Sequence, residues 1–303
     1  MSDRTIRQAR ADDHDDVTAF TQDTWSDHDV GDYIPDVFPA WVEGDGPTQR
    51  TAVAEVEGRV VGICQGVLLT AEEAWLQGMR VAPAHRGSDH GRALTTHLMD
   101  WAAEQGATVA RNMVFDWNPA GMGQSRAIGF RAATSCRWAE PAPGGDGPAP
   151  DEDFETVGDV AAAWRFWTHS DARTALNGLA LDPDEAWALA ELDRERLETI
   201  ADRERVLAVR AGETRGVAAR IGTRERDGET IADYAVGAWA DADAARALFG
   251  AVRSDAAAVG ADATRVCIPD TPRFVSDAAL ARVGLGDDAV FVLAADLTDA
   301  TRR

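Results

Sequence analysis

The sequence predicts a mixed α/β protein made of two related units, and three observations carry that prediction. Strand-like and helix-like apolar patterns alternate along the chain. A proline- and glycine-rich stretch without apolar periodicity, EPAPGGDGPAPDED from Glu140 to Asp153, divides it into halves of similar size. The second half then repeats the order of the back end of the first. These observations give a domain over residues 1–139, a linker over 140–153 and a second domain over 154–303.

In the first half a strand near Thr5–Arg10 precedes two helices, near Asp12–Asp23 and Asp32–Val42. Strands follow near Arg50–Val56, Arg59–Leu69 and Glu73–Val81. The helix Gly91–Gln105 is well signalled, because Leu94, Leu98, Trp101 and Ala102 fall on one face and Gly106 ends it. A strand at Ala107–Phe115, a short helix around Ala120–Ile128 and a strand at Arg131–Trp138 complete the half. In the second half, Gly260–Leu285 aligns with Gly106–Phe130 if one residue is inserted, matching Arg265 to Arg111 and Asp270 to Asp116. Upstream, YAVGAWADADAARALFGAVRSDAAAVG copies strand, turn and helix, with Leu248, Phe249, Val252, Ala256 and Val259 as the apolar face.

The 303 residues are enough for two ordinary domains. No apolar run approaches the roughly 18 residues of a membrane span, and the polar N-terminus MSDRTIRQARADDHDD is unlike a signal peptide. Cys64, Cys136 and Cys267 match no metal-ligand spacing and read as free thiols in a reducing cytoplasm, so no metal is expected. Acidic residues number 52 against 30 basic ones, and every basic one is arginine. The acids are scattered rather than blocked. That pattern favours adaptation to molar salt, where the Debye length is about 3 Å, over recruitment of a cationic partner.

The stretch GMRVAPAHRGSDHGRAL runs from a strand through a basic, glycine-punctuated turn into a helix. Such a turn aims unpaired N–H groups and the positive end of the helix dipole at one point. Gly87 and Gly91 allow close backbone approach, and Arg86 and Arg92 add charge, which together suit a pyrophosphate. The nucleotide-hydrolase loop needs a lysine that this chain lacks, and no G-x-G-x-x-G is present.

Met79–Leu94 resembles the acetyl-CoA signature of the GNAT superfamily of N-acetyltransferases, R/Q-x-x-G-x-G/A after a strand ending in V-x-P. NPAGMGQSRAIGF resembles that family's N-x-x-A-x-x-L-Y-x-x-x-G-F helix, with Asn118 and Gly129-Phe130 at the family's separation. The resemblance covers residues 3–138, while the second half is similar in element order alone. It implies tandem GNAT-like domains, each a mostly antiparallel sheet flanked by helices, the second degenerate and lacking the pyrophosphate loop. It also implies acetyl-CoA as co-substrate, its arm lying between Gly78–Val81 and Arg111–Phe115. The cofactor set so implied is Met79, Arg80, Val81, Arg86, Gly87, Ser88, Asp89, His90, Gly91, Arg92, Ala93 and Asn118. A primary amine would attack the thioester directly, with an N–H near Met79 holding the developing oxyanion and Gly78 forming a bulge.

Two positions depart from the family pattern. Asp89 replaces the middle glycine of the signature, and Ser125 stands where the family has the tyrosine that protonates the departing thiolate. The candidate general bases are Glu72, Glu73, Asp116, His28 and His85, with Asp116 carried forward, while Trp25 and Trp117 could wall an acceptor pocket or simply pack. The expectation is a cytoplasmic acetyltransferase acting on a small-molecule or peptide amine, with no nucleic acid or membrane partner and a homodimer left open. A non-catalytic acyl-CoA-binding scaffold is the alternative.

Overall fold

The computed structural model describes residues 4–22, 24, 31–151, 153–226 and 228–299. The architecture is mixed α/β, with mostly antiparallel sheet flanked by helices. Among the described residues no helix is long and apolar enough to cross a membrane.

Contacts group the chain into two compact units. The elements of the first half are β1 (Arg4–Gln8), α1 (His14–Thr21), α2 (Ile34–Gly44), β2 (Gln49–Val56) and β3 (Arg59–Leu68). Next come β4 (Glu73–Val81), α3 (His90–Glu104), β5 (Val109–Phe115), α4 (Pro119–Ala127) and β6 (Arg131–Glu140). In the first unit β1, β2, β3 and β4 pair antiparallel in sequence, and β5 joins β4 in parallel. Helices α1 and α2 bury Val17, Ile34 and Phe38 against Val53, Val60 and Ile63. Strand side chains alternate between faces. On the other face Gly62 and Gly66 of β3 leave room for Leu94 and Trp101 of α3. All four residues of the predicted α3 face are buried, and Gly106 ends the helix at φ +107°.

The second half begins with β7 (Glu155–Val157), α5 (Val160–His169), α6 (Asp171–Ala175), β8 (Leu179–Leu181), β9 (Leu189–Glu191) and α7 (Arg194–Arg203). It continues with β10 (Arg205–Ala211), β11 (Glu213–Arg226), β12 (Glu229–Trp239), α8 (Ala242–Ala258) and β13 (Ala263–Pro269). The last elements are α9 (Pro272–Leu280), β14 (Gly284–Leu285) and β15 (Val290–Asp296). In the second unit β7, β10, β11 and β12 pair antiparallel in that order, and β13 joins β12 in parallel. The predicted face of α8 is buried at Leu248, Phe249, Val252 and Ala256 but not at Val259, which is 37% exposed. The helix stops at Ala258, so Val259 leaves the apolar stripe.

Sequence boundaries and compact units differ in what they do with each half's last strand. The Pro/Gly stretch puts β6 up to Ala139 before the boundary and all of β15 after it. Contacts instead place β6 from Ala133 on in the second unit, where it pairs antiparallel with β13. They place β15 from Leu293 on in the first, where Leu297 N–H donates to Thr108 O at 2.8 Å. The Pro/Gly stretch itself is tied down along α8. Gly144 N–H donates to Arg253 O at 3.0 Å, and Asp151 N–H to Asp243 Oδ1 at 2.6 Å. Lack of periodicity reveals no helix or strand; it does not exclude packing.

Candidate functional site

Strand β4 carries a bulge where the sequence reading expects one. Gln77 pairs with Gln65 and Arg80 with Ile63, so Gly78 and Met79 stand opposite the single residue Cys64. Gly78 has φ +62°, and a Cβ there would lie 2.5 Å from Trp41 Cη2. The parallel ladder between β4 and β5 stops at Trp75–Arg111. Beyond it the two strands share no ladder pair among the described residues, so the β5-facing edge of Gly78–Val81 is open to another extended chain.

From β4 the chain makes a 3-10 turn at Pro83–His85 and enters α3 through two left-handed residues, Gly87 (φ +74°) and Asp89 (φ +62°). Asp89 therefore keeps the backbone geometry a glycine would supply. Aspartate is one of the few residues that enters this region with a short polar side chain. Its side chain makes no capping bond to α3 and is exposed. The first helical bond is Ala93 N–H to Asp89 O, 3.1 Å, so the amides ahead of Ala93 have no carbonyl within the helix. Around this mouth Arg86 and Arg92 are exposed. Arg86 Nε donates to Val81 O at 3.3 Å, and Arg92 has no partner among the described residues. His90 is buried at the first helical position, and its Nδ1 has no hydrogen-bond partner among the described residues. Burial, with Arg4 and His85 nearby, holds its pKa below the ordinary value against the opposing pull of Asp89.

Helix α4 closes the other side. Asn118 is its N-cap, with Oδ1 accepting from Gly121 N–H at 2.9 Å. Ser125 is buried and accepts a hydrogen bond from Asn112 Nδ2 at 3.0 Å. Gln124, which the sequence reading passed over, donates from Nε2 to Met79 Sδ at 3.4 Å. The same Nε2 would lie 2.5 Å from a Cβ on Gly91, so bulge, helix mouth and α4 converge on one amide. The space beside Gly91 thus belongs to Gln124 and not to a ligand.

Among the candidate bases, Glu73 is buried in an ion pair with Arg111, which removes it as a free proton acceptor. Glu72 sits exposed in a turn, and its N–H donates to Thr70 Oγ1 at 3.2 Å. His85 packs its ring 5.9 Å from that of His90. Asp116 is exposed, with its N–H donating to Ala289 O at 3.1 Å. Trp117 lies stacked on Phe115, with centroids 5.2 Å apart, in a packing arrangement. His28 and Trp25 lie outside the described residues. Arg80 turns its guanidinium to Asp32, Nε to Oδ2 at 2.7 Å, and to its neighbour's carbonyl, Nη1 to Met79 O at 3.1 Å. Only its backbone remains for a ligand along β4. Among the described residues no group of three metal-ligating side chains could hold an ion.

The equivalent mouth in the second unit is closed from within. Asp241 caps α8, its Oδ1 accepting from Asp243 N–H at 3.1 Å and Ala244 N–H at 3.0 Å, and its carboxylate pairs with Arg215. The β12–β13 ladder ends at Tyr234–Val266. Trp239 at the end of β12 is 1% exposed, with Phe249 and Phe274 packed edge-on to its ring at 5.2 and 4.9 Å.

Residues 13–130 match the acetyltransferase (GNAT) family. A curated relative, the L-2,4-diaminobutyric acid acetyltransferase of Nocardia farcinica, is 34% identical over 83 residues, 27% of this chain. The matched stretch spans 43% of that relative's length. Among solved structures, the GCN5-related N-acetyltransferase of Sphaerobacter thermophilus aligns with a TM-score of 0.62 at 13% identity, over 97% of this chain and 96% of its own. A tandem GNAT protein from the clavulanic acid biosynthesis pathway aligns with a TM-score of 0.56 at 12% identity, over 98% and 100%. These two likenesses show a shared fold over almost the whole chain.

Proposed function

We propose that this chain is an acetyl-CoA-dependent N-acetyltransferase whose single working site is assembled by residues 1–139, joined by 140–153 to a GNAT-like partner, 154–303, that has lost its pyrophosphate loop. The observation that carries the reading is the pairing of an open, bulged β4 edge with an uncapped helix mouth flanked by Arg86 and Arg92. Asp241, which fills the corresponding mouth with the protein's own carboxylate, supports the loss in the second unit.

In this reading the amides of Gly87–Ala93 and the two arginines hold the pyrophosphate. The open edge of Gly78–Val81 pairs with the coenzyme's arm, and Asn118 steadies its far side through the N-cap of α4. The Met79 N–H, within the bulge, holds the charge that builds on the thioester oxygen as the amine attacks. Asp116 takes the proton from the amine, directly or through water. Ser125 is a poor acid, so the leaving thiolate takes its proton from solvent. The acceptor is a small-molecule or peptide amine, and the location is cytoplasmic. The acidity is an adaptation to molar salt.

One observation favours a second reading, an acyl-CoA-binding protein without turnover: no tyrosine stands on α4, and the serine in its place is buried against Asn112. Acetyl-CoA turnover with a panel of amines, L-2,4-diaminobutyrate among them, separates the two. Arg86→Ala should raise the acetyl-CoA KM about 10- to 100-fold with little change in kcat, because phosphates are held equally in ground and transition states. Binding without turnover across the panel would leave the second reading. Unchanged acetyl-CoA affinity in a folded Arg86→Ala protein would remove both.

A further inference from the structure

The second unit contains a cavity of about 260 Å³ between the Pro/Gly-rich segment and α8, lined among others by Gly147, Pro148, Pro150, Phe154, Gly250 and Arg253. Arg253 is the unusual member. It is 5% exposed, and burial shifts it downward, with no carboxylate among the described residues to raise it back. In a chain with 52 acidic and 30 basic residues, a buried arginine without an acid among the described residues is unexpected. Nη2 donates to Ala281 O at 3.2 Å and Arg282 O at 3.3 Å. The N–H groups on Nε and Nη1 have no partner among the described residues, although guanidinium presents five donors in a fixed fork. Gly147 packs directly over Nη1, where any side chain would collide with it.

A buried cation with idle donors carries a desolvation penalty that a matching anion offsets. The neighbouring Arg246 does not need one, since Asp243 and Asp151 lie 3.3 and 3.5 Å from it. The site therefore has one positive charge to satisfy, with acid side chains close by that disfavour a second negative charge on the ligand. Pro148, Ala149, Pro150, Phe154 and Ala247 add apolar side chains to a lining that Thr156, Arg246 and glycine backbone keep polar elsewhere. The volume lies below the roughly 300–1,000 Å³ of pockets for drug-sized ligands. We propose that this cavity binds a small organic monocarboxylate, its head group accepting a single charge-assisted hydrogen bond from an idle N–H of Arg253 and its apolar body against Pro148, Pro150 and Phe154.

The test titrates the full chain with benzoate by calorimetry at constant ionic strength, with benzamide and inorganic phosphate as controls. Benzoate should saturate a site that benzamide and phosphate do not. Gly250→Leu adds a side chain where a Cβ meets nothing within 4 Å, and it favours the helix, so the protein stays folded. That variant should weaken benzoate at least tenfold with acetyl-CoA binding unchanged. Arg253→Met should do the same, if folded. The proposal is overturned if benzoate shows no saturable binding, if phosphate or benzamide binds equally well, or if Gly250→Leu binds benzoate like the wild type.

Discussion

Replacing Gly78 with alanine would put a Cβ 2.5 Å from Trp41 Cη2 and 2.8 Å from Cζ3, about 1 Å inside ordinary carbon–carbon contact. Two effects then add. The backbone at φ +62° disfavours any L side chain by about 1–2 kcal/mol, whatever the surroundings. Displacing the Trp41 ring from its place against α2 and β4 adds the usual penalty of overpacking, about 1–3 kcal/mol. The sum, about 2–5 kcal/mol, is readable by urea unfolding at fixed salt as a lower midpoint with unchanged slope. A double-mutant cycle separates the terms. In a Trp41→Ala background the ring is gone, so Gly78→Ala should cost only the backbone share, leaving a coupling of about 1–3 kcal/mol. A coupling within about 0.5 kcal/mol of zero would mean that Trp41 does not press on the bulge, and the described geometry of the strand would be wrong.

Asp241→Ala should destabilise the protein by about 1 kcal/mol near neutral pH through loss of the α8 cap. Burial pushes the Asp241 carboxyl up, but the Ala244 N–H and Arg215 outweigh it and hold the folded pKa below 3.8. Its contribution is therefore complete above 3.8 and fades as pH falls through the lower folded value, so the gap between wild type and variant should narrow in acid. A gap that widens toward low pH would refute the assignment. If the net charge of −22 reflects adaptation to salt, Tm should rise steeply between about 0.1 M and about 2 M KCl. Equal Tm at both concentrations would contradict that origin for the acidity.

What the sequence disclosed was local. The apolar stripe of α3, its glycine stop and the turn before His90 each depend on residues within one or two helical turns of one another, whereas the bulge at Gly78 is expected from the family resemblance alone. What it concealed depends on approach in space. Arg80 meets Asp32 across 48 positions, Gln124 meets Met79 across 45, and Arg111 meets Glu73 across 38. No periodicity marks such pairs, and in so acidic a chain Asp32 and Glu73 are indistinguishable from solvated carboxylates until the fold buries them. Asp89 shows the converse. Its residue type departs from the family signature, yet the backbone there adopts the left-handed conformation that the signature's glycine would favour. The rival packing of Pro/Gly segment and α8 went unseen because composition registers flexibility of the isolated chain and not the surface available to hold it.

The allotment of last strands sets the order in which this protein can finish folding. Strand β5 lacks its outer neighbour until residues from Leu293 onward have been synthesised, so the amino-terminal unit stays open while residues 133–292 are made. During that interval β5 presents a bare row of N–H and C=O groups, a template for pairing with another nascent chain. A gene fragment ending in the Pro/Gly stretch would encode this vulnerable state permanently. Recombination that exchanged only one half for another protein's would have to supply a compatible closing strand as well, which ties the inheritance of the two halves together.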